Sequence, residues 1–209
     1  MKKKIIISAI VALTLALLVA VGGTMAYLVA NTAAVENVFT PSNIDVLLTE
    51  TDEDRSFKMV PGNTISKDPE IEVRNDIKCY VFVKIDESTN FDEYLEYAIA
   101  DGWTLYDPTT KTTNATITTS DEDSYIIYRI VEAGQANAKF AVLKNDEIKV
   151  KESVTKEMMN SLFVDTTAYP TLTFKAAAVQ YDNLTEVANA YEQINWNDVA
   201  STVVLNPNS

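Results

Sequence analysis

The amino-acid sequence predicts a mainly β fold, a jelly-roll-like sandwich of two sheets with a few short helices. Segments in which apolar and polar residues alternate outnumber segments with helical spacing. Eight to ten short strands separated by turn residues are typical of sandwiches and jelly rolls. Because no internal repeat and no interdomain linker is visible, residues 27–209 are predicted to form one domain.

The predicted strands differ in how many of their faces are apolar. Ile44–Thr49 is predicted as a strand that follows the turn at Pro41-Ser42. The strongest strand is 80–85, where Val81, Val83 and Ile85 share one face. Residues 125–131 are apolar on both faces, as expected for a central strand. The remaining strands are placed at 71–74, at 140–143 and 147–150 as a hairpin around 144–146, and at 171–179. The threonine-rich stretch 109–123 is predicted to be an exposed loop or hairpin.

Three short helices are predicted between these strands. Asn90 is a candidate N-cap for a helix that ends near Gly102, and a second helix covers 155–163. The third helix is placed at Asn183, with Glu186 three residues later as a capping box.

The N-terminus has the three-part layout of a cleavable signal peptide. Lys2, Lys3 and Lys4 precede an apolar stretch at 5–21, and Gly22-Gly23 leads to the small residues of Thr24-Met25-Ala26. This pattern predicts a signal peptide over 1–26, cut between Ala26 and Tyr27. The alternative is a retained anchor, because the apolar stretch approaches the ~20 residues that span a bilayer. We predict cleavage, and a secreted or cell-surface protein without a membrane anchor.

The charge of the chain limits the classes of partner. Removal of 1–26 takes away three of the 17 basic residues and none of the 30 acidic ones, so the net charge changes from −13 to −16. Such a surface repels phosphate backbones and anionic lipid. We therefore expect no nucleic-acid or peripheral membrane partner.

The chain contains no histidine and one cysteine, Cys79. The usual general base, the Ser-His and Cys-His pairs and the His-Glu-x-x-His zinc site are therefore missing from the sequence. Cys79 alternates with core-facing residues and is predicted to be a structural thiol. We predict no catalytic residue, no cofactor and no metal ligand.

Several motifs resemble the TasA/camelysin (CalY) family of exported proteins, whose signal peptides are cut by the signal peptidase SipW. They follow one another in the family's order after a signal of this type. The stretches that carry the resemblance are 22–28 (GGTMAYL), 37–40 (NVFT) with 43–50 (NIDVLLTE), 60–69 (VPGNTISKDP), 79–84 (CYVFVK) and 169–180.

The resemblance implies a jelly-roll subunit of extracellular matrix fibres, as in biofilms of Gram-positive cells. It further implies that the segment freed by signal cleavage, 27–39, adds as a strand to the next subunit. The residues themselves suit this role, because Tyr27, Val29, Val35 and Phe39 are apolar and only Glu36 is charged. The alternative is that 27–39 pairs within its own subunit as an ordinary first strand. The partners implied are a SipW-type signal peptidase and further copies of the chain or related matrix subunits.

Two other functions stay open at the level of sequence. The camelysin branch is classed as a metallopeptidase, but a carboxylate-only zinc site is a poor one because zinc prefers nitrogen and sulfur ligands. A calcium-dependent adhesin is the second alternative, with acidic clusters at 52–54 and 121–123 that do not follow the EF-hand pattern. Trp103, Tyr106, Tyr125 and Tyr128 are candidates either for stacking on carbohydrate or for packing inside the fold.

Overall fold

The structure is a computed structural model of the chain. It describes residues 43–50, 58–114, 123–199 and the strand Val203–Val204. The chain divides into two units, 1–41 and 42–209, and every described residue belongs to the second unit.

The described residues form twelve β-strands and three short α-helices. The strands are β1 Ile44–Thr49, β2 Thr64–Ser66, β3 Glu70–Asn75, β4 Cys79–Glu87, β5 Leu95–Glu96, β6 Thr104–Asp107, β7 Thr112–Asn114, β8 Ser124–Val131, β9 Gln135–Ala141, β10 Glu147–Val150, β11 Leu172–Gln180 and β12 Val203–Val204. The helices are α1 Phe91–Tyr94, α2 Lys156–Val164 and α3 Val187–Tyr191, with 3-10 turns at Lys144–Asp146 and Thr166–Ala168.

The strands form three antiparallel sheets. We call them by their central strands: the β3 sheet in the order β1-β3-β9, the β10 sheet in the order β2-β10-β5, and the β4 sheet in the order β12-β11-β4-β8-β6-β7. The predicted mainly β sandwich with few short helices is confirmed. The β10 sheet is a third, smaller sheet that the sequence did not predict.

The main core lies between the β3 sheet and the β4 sheet. Ile71 and Val73 of β3 pack in one buried cluster with Val81, Val83 and Ile85 of β4, and all five are fully buried. Alternation along β4 therefore directs one set of its side chains into the sandwich, as predicted.

A second cluster covers the opposite face of the β4 sheet. Tyr80 and Phe82 lie there, and Tyr106, Ile126 and the residues around α3 pack on them. Side chains on both faces of β4 and β8 are thus buried, except near the end of β8, where Ile130 is exposed. β8 lies between β4 and β6, which confirms the prediction of a central strand at 125–131.

Two predicted helices are shorter than expected. The helix at Asn90 ends at Tyr94, because Leu95 and Glu96 pair with Val150 and Lys149 of β10 instead of continuing the helix. The third helix begins at Val187 rather than at Asn183, since Asn183 has φ +66, which lies outside the right-handed helical region.

The predicted hairpin at 140–150 is wrong. β9 belongs to the β3 sheet and β10 to the β10 sheet, so the two strands do not pair. The 3-10 turn between them holds Asn145 at φ +58 and Asp146 at φ +55, and this turn carries the chain from one sheet to the other.

Candidate functional site

The residues predicted for processing and strand donation lie outside the described residues. These are Ala26 and Tyr27 at the cleavage site and Tyr27, Val29, Val35 and Phe39 of the candidate donor strand. The acidic cluster 52–54 and residues 121–122 also lie outside. The structure does describe the sheet edges to which an added strand would pair.

The outer edge of β1 is regular, and every second residue of β1 directs its N–H and C=O groups away from β3. The carbonyl of Asn43 accepts a hydrogen bond from the Asp76 N–H at 3.0 Å, so the backbone groups of Asn43 point toward β3. In an antiparallel pair the direction alternates at each residue. The N–H and C=O groups of Ile44, Val46 and Leu48 therefore point away from β3, and no described strand pairs with them there.

The inner side of the sandwich is incompletely covered beside this edge. Ile44 and Val46 contact the main core but remain half-buried. Ala176 and Ala178 of β11, which packs against β1, also face this core and are half-buried. Small side chains on one strand and open backbone groups on the other thus lie along the same side of the molecule.

The opposite edge of the β3 sheet, formed by β9, has different features. Its register against β3 shifts between Val73 and Asn75, which marks a bulge. Lys139 is exposed on it and pairs with Glu70 at 2.6 Å. The indole N–H of Trp103 donates a hydrogen bond to the Ala141 carbonyl at 2.8 Å. One of the outward-pointing carbonyls of β9 is therefore already occupied.

Two charged groups are buried near the ends of the strands. The Lys67 side chain is fully buried in direct contact with the Glu50 carboxylate, which directly follows β1. Burial lowers the pKa of the Lys67 amine to about 8, and Asp68 acts in the opposite direction. Among described residues this ion pair joins the end of β1 to the segment after β2.

Glu87 is the buried carboxyl at the end of β4. Burial raises its pKa to about 7, and the carboxylates of Asp92 and Asp123 act in the same direction. The hydroxyl of Tyr97 donates to its Oε1 at 2.5 Å, and this bond, together with Lys151, favours the charged form.

Arg129 lies at the β9 side of the sandwich as a half-buried cation. Its guanidinium carbon stands 3.7 Å from the centre of the Phe140 ring and 5.2 Å from that of Trp103. Burial lowers the pKa of this guanidinium. The two rings, which pack with the main core, stabilise the charge through cation–π attraction.

The aromatic residues that were candidates for carbohydrate stacking pack inside the fold. Trp103, Tyr106 and Tyr125 are buried, and Tyr128 is half-buried. Cys79 is buried as a free thiol, and burial raises its pKa to about 11. A thiol of this kind stays protonated near neutral pH.

In the parts of the chain that the structure describes, no group of three or more Cys, Asp or Glu side chains is arranged to hold a metal ion. Within the same ranges, no helix has the length and hydrophobicity needed to cross a membrane.

Comparison with known proteins adds little to this geometry. No protein-family model matches the chain, and no curated protein matches it. One solved structure, described as "Enterococcal surface protein, partial N-terminal region", is similar at 11% sequence identity with a TM-score of 0.32. The similarity covers 76% of this chain and 43% of that chain, so this chain spans less than half of that structure.

Proposed function

We propose that this chain is a secreted structural subunit of extracellular matrix fibres, without enzymatic activity. A SipW-type signal peptidase removes residues 1–26. The new N-terminal segment, 27–39, then adds as a strand to a neighbouring copy outside the cell.

The observation that carries this proposal is the edge of the β3 sheet at β1, with which no strand of the described residues pairs. An edge strand presents unpaired N–H and C=O groups that act as a template for another strand. The segment 27–39 has the composition of such a strand, with mostly apolar residues, neither Pro nor Gly, and one charge. Because the donor and the acceptor are different surfaces, addition is head-to-tail, and it builds a filament when the rotation between successive subunits does not close a ring.

The test compares the protein that starts at Tyr27 with a version that lacks 27–39. Both are incubated at equal concentration and examined by electron microscopy and by sedimentation. We expect filaments only from the longer protein. Filaments from both versions, or from neither, would contradict strand donation by 27–39.

A further inference from the structure

We propose that the guanidinium of Arg129, beside the exposed turn at Gly102, binds a carboxylate that is carried on an apolar or aromatic body. Arg129 lies on β8 and Gly102 precedes β6, at the side of the sandwich where β9 forms the edge of the β3 sheet. The site shares no residue with the edge of β1 or with 27–39, so it does not depend on the fibre proposal.

The cation of Arg129 has aromatic neighbours but lacks acceptors for its hydrogen bonds. The rings of Phe140 and Trp103 have their centres 3.7 Å and 5.2 Å from its guanidinium carbon. The rings attract the charge, yet they offer no lone pair of oxygen or nitrogen to its five N–H donors. Among the described residues, no group accepts a hydrogen bond from its buried Nε.

No carboxylate of the described residues forms an ion pair with Arg129. The other described arginine, Arg74, pairs with Glu72 at 2.6 Å. At Arg129, burial lowers the pKa of the guanidinium and no neighbouring acid opposes this effect. The chain contains 30 acidic residues, and charges are rarely taken out of water without a partner. An anion that approaches from solvent would supply the partner that the described residues do not.

The end of the guanidinium is accessible at Gly102. A Cβ at this position would lie 3.1 Å from Nη2 and 3.7 Å from Nη1 of Arg129, so any side chain here would crowd the two terminal nitrogens. Asp101 and Gly102 are both exposed. Glycine also suits the φ of +90 at this position. The turn therefore leaves the terminal N–H donors open to a ligand.

A carboxylate on an apolar body fits these features better than a phosphate. The terminal nitrogens of an arginine donate two parallel hydrogen bonds to the two oxygens of a carboxylate. The acidic chain repels a dianion about twice as strongly as a monoanion. Phe140 is half-buried, so part of its ring remains open to an apolar body beside the carboxylate.

The first test follows binding through the fluorescence of Trp103 in the protein that starts at Tyr27. The chain has two tryptophans, so Trp196→Phe leaves Trp103 as the single reporter. Sodium benzoate is titrated at constant ionic strength, and benzamide is the uncharged control of similar shape. We expect a saturable change with benzoate and none with benzamide.

Variants of Arg129 separate its hydrogen-bond donors from its charge. Arg129→Met fills the place of the side chain without a charge and should abolish the response. Arg129→Lys keeps the charge and loses the paired donors, so it should weaken the binding of benzoate roughly tenfold. Arg74→Met, at the exposed arginine of β3, is the matched control and should leave the affinity within about twofold.

The second test leaves the core unchanged and decides the question if the variants of Arg129 do not fold. The side chain of Asp101 is 96% exposed beside the site, and its carboxylate lies 4.0 Å from the Lys144 amine. Asp101→Asn removes a negative charge that repels the ligand, so benzoate should bind about twofold more tightly. Glu157→Gln, an exposed carboxyl on α2, is the control and should leave the affinity unchanged.

A short peptide that ends in phenylalanine identifies the source of the carboxylate. The peptide is titrated with a free C-terminus and as the C-terminal amide. Tighter binding of the free peptide than of benzoate, with no binding of the amide, supports the site and assigns it to the C-terminus of a protein or peptide. Tighter binding of benzoate supports the site and assigns it to a small organic acid.

Several results would overturn the assignment. These are no response to benzoate, a response that benzamide reproduces, and a response that survives in Arg129→Met. Binding that occurs in Asp101→Asn but not in the unchanged protein would make Asp101 the partner of Arg129 in solution. Inorganic phosphate that binds more tightly than benzoate would contradict the choice of a carboxylate.

Discussion

Glu87 shows how a single residue at the end of a core strand can make the stability of the domain depend on pH. Its carboxyl continues the inward alternation of Val81, Val83 and Ile85, and only 9% of the residue remains exposed. The pKa of this carboxyl is about 7 in the fold, against an ordinary value of 4.5. The folded state therefore prefers the protonated acid. The stability that this preference gives is fully present below pH 4.5 and is lost as the pH rises through 7.

We expect Glu87→Gln to remove this loss. Glutamine keeps an oxygen to accept the bond from Tyr97 and carries no charge at any pH. Relative to the variant, the unchanged protein should lose up to about 3 kcal/mol of unfolding free energy between pH 5 and pH 8. Urea unfolding at both pH values measures the difference. Glu93→Gln, an exposed carboxyl in α1, is the control, and pH profiles of equal slope for Glu87→Gln and the unchanged protein would contradict the prediction.

Helix α2 begins at a side-chain cap that lies within the predicted range 155–163. The Thr155 hydroxyl accepts a bond from the Met158 N–H at 3.2 Å and satisfies one of the free N–H groups of the first turn. Thr155→Ala should lower the free energy of unfolding by about 1 kcal/mol, whereas Thr155→Asp should preserve it. Thermal unfolding of the three proteins measures this, and equal melting temperatures for Thr155→Ala and Thr155→Asp would show that the cap contributes nothing.

Elements whose signals are local were predicted from the sequence, and elements that depend on distant partners were not. β1 was predicted from the strand-forming residues after the turn at Pro41-Ser42, and α2 from the helix-forming residues of 155–163. The segment after α1 has helical spacing, yet Leu95 and Glu96 pair with β10, more than fifty residues later in the chain. The turn at Asn145 likewise separates β9 and β10 into different sheets, although their sequences suit a hairpin.

The same limit applies to the residues of the candidate site. The inward position of Glu87 could have been found by extending the alternation of β4 by two residues. The burial of Lys67 could not, because it depends on the contact with Glu50 across two sheets. The role of residues 27–39 as a donor strand stays a prediction. The position of β1 at an edge of its sheet is known only from the strand order.

At the scale of the whole molecule, the charge of the mature chain should control how fast the subunits assemble. A protein that starts at Tyr27 carries a formal net charge of −16, because residues 1–26 contain three basic residues and no acidic one. In the proposed fibre, two such subunits repel each other as they approach, and salt screens this repulsion. The Debye length falls from about 30 Å at 10 mM ionic strength to about 8 Å at 150 mM.

We therefore expect filament growth, followed by light scattering at pH 7.5, to be at least tenfold faster in 150 mM than in 10 mM sodium chloride. The candidate donor segment 27–39 carries one charged residue, so salt should change the rate of encounter more than the strength of the final contact. Sucrose at equal osmolality, which does not screen charge, is the control and should leave the rate within twofold. Growth that slows with salt would instead indicate that attraction between opposite charges drives the contact, which the acidic surface and the single carboxylate of 27–39 do not provide.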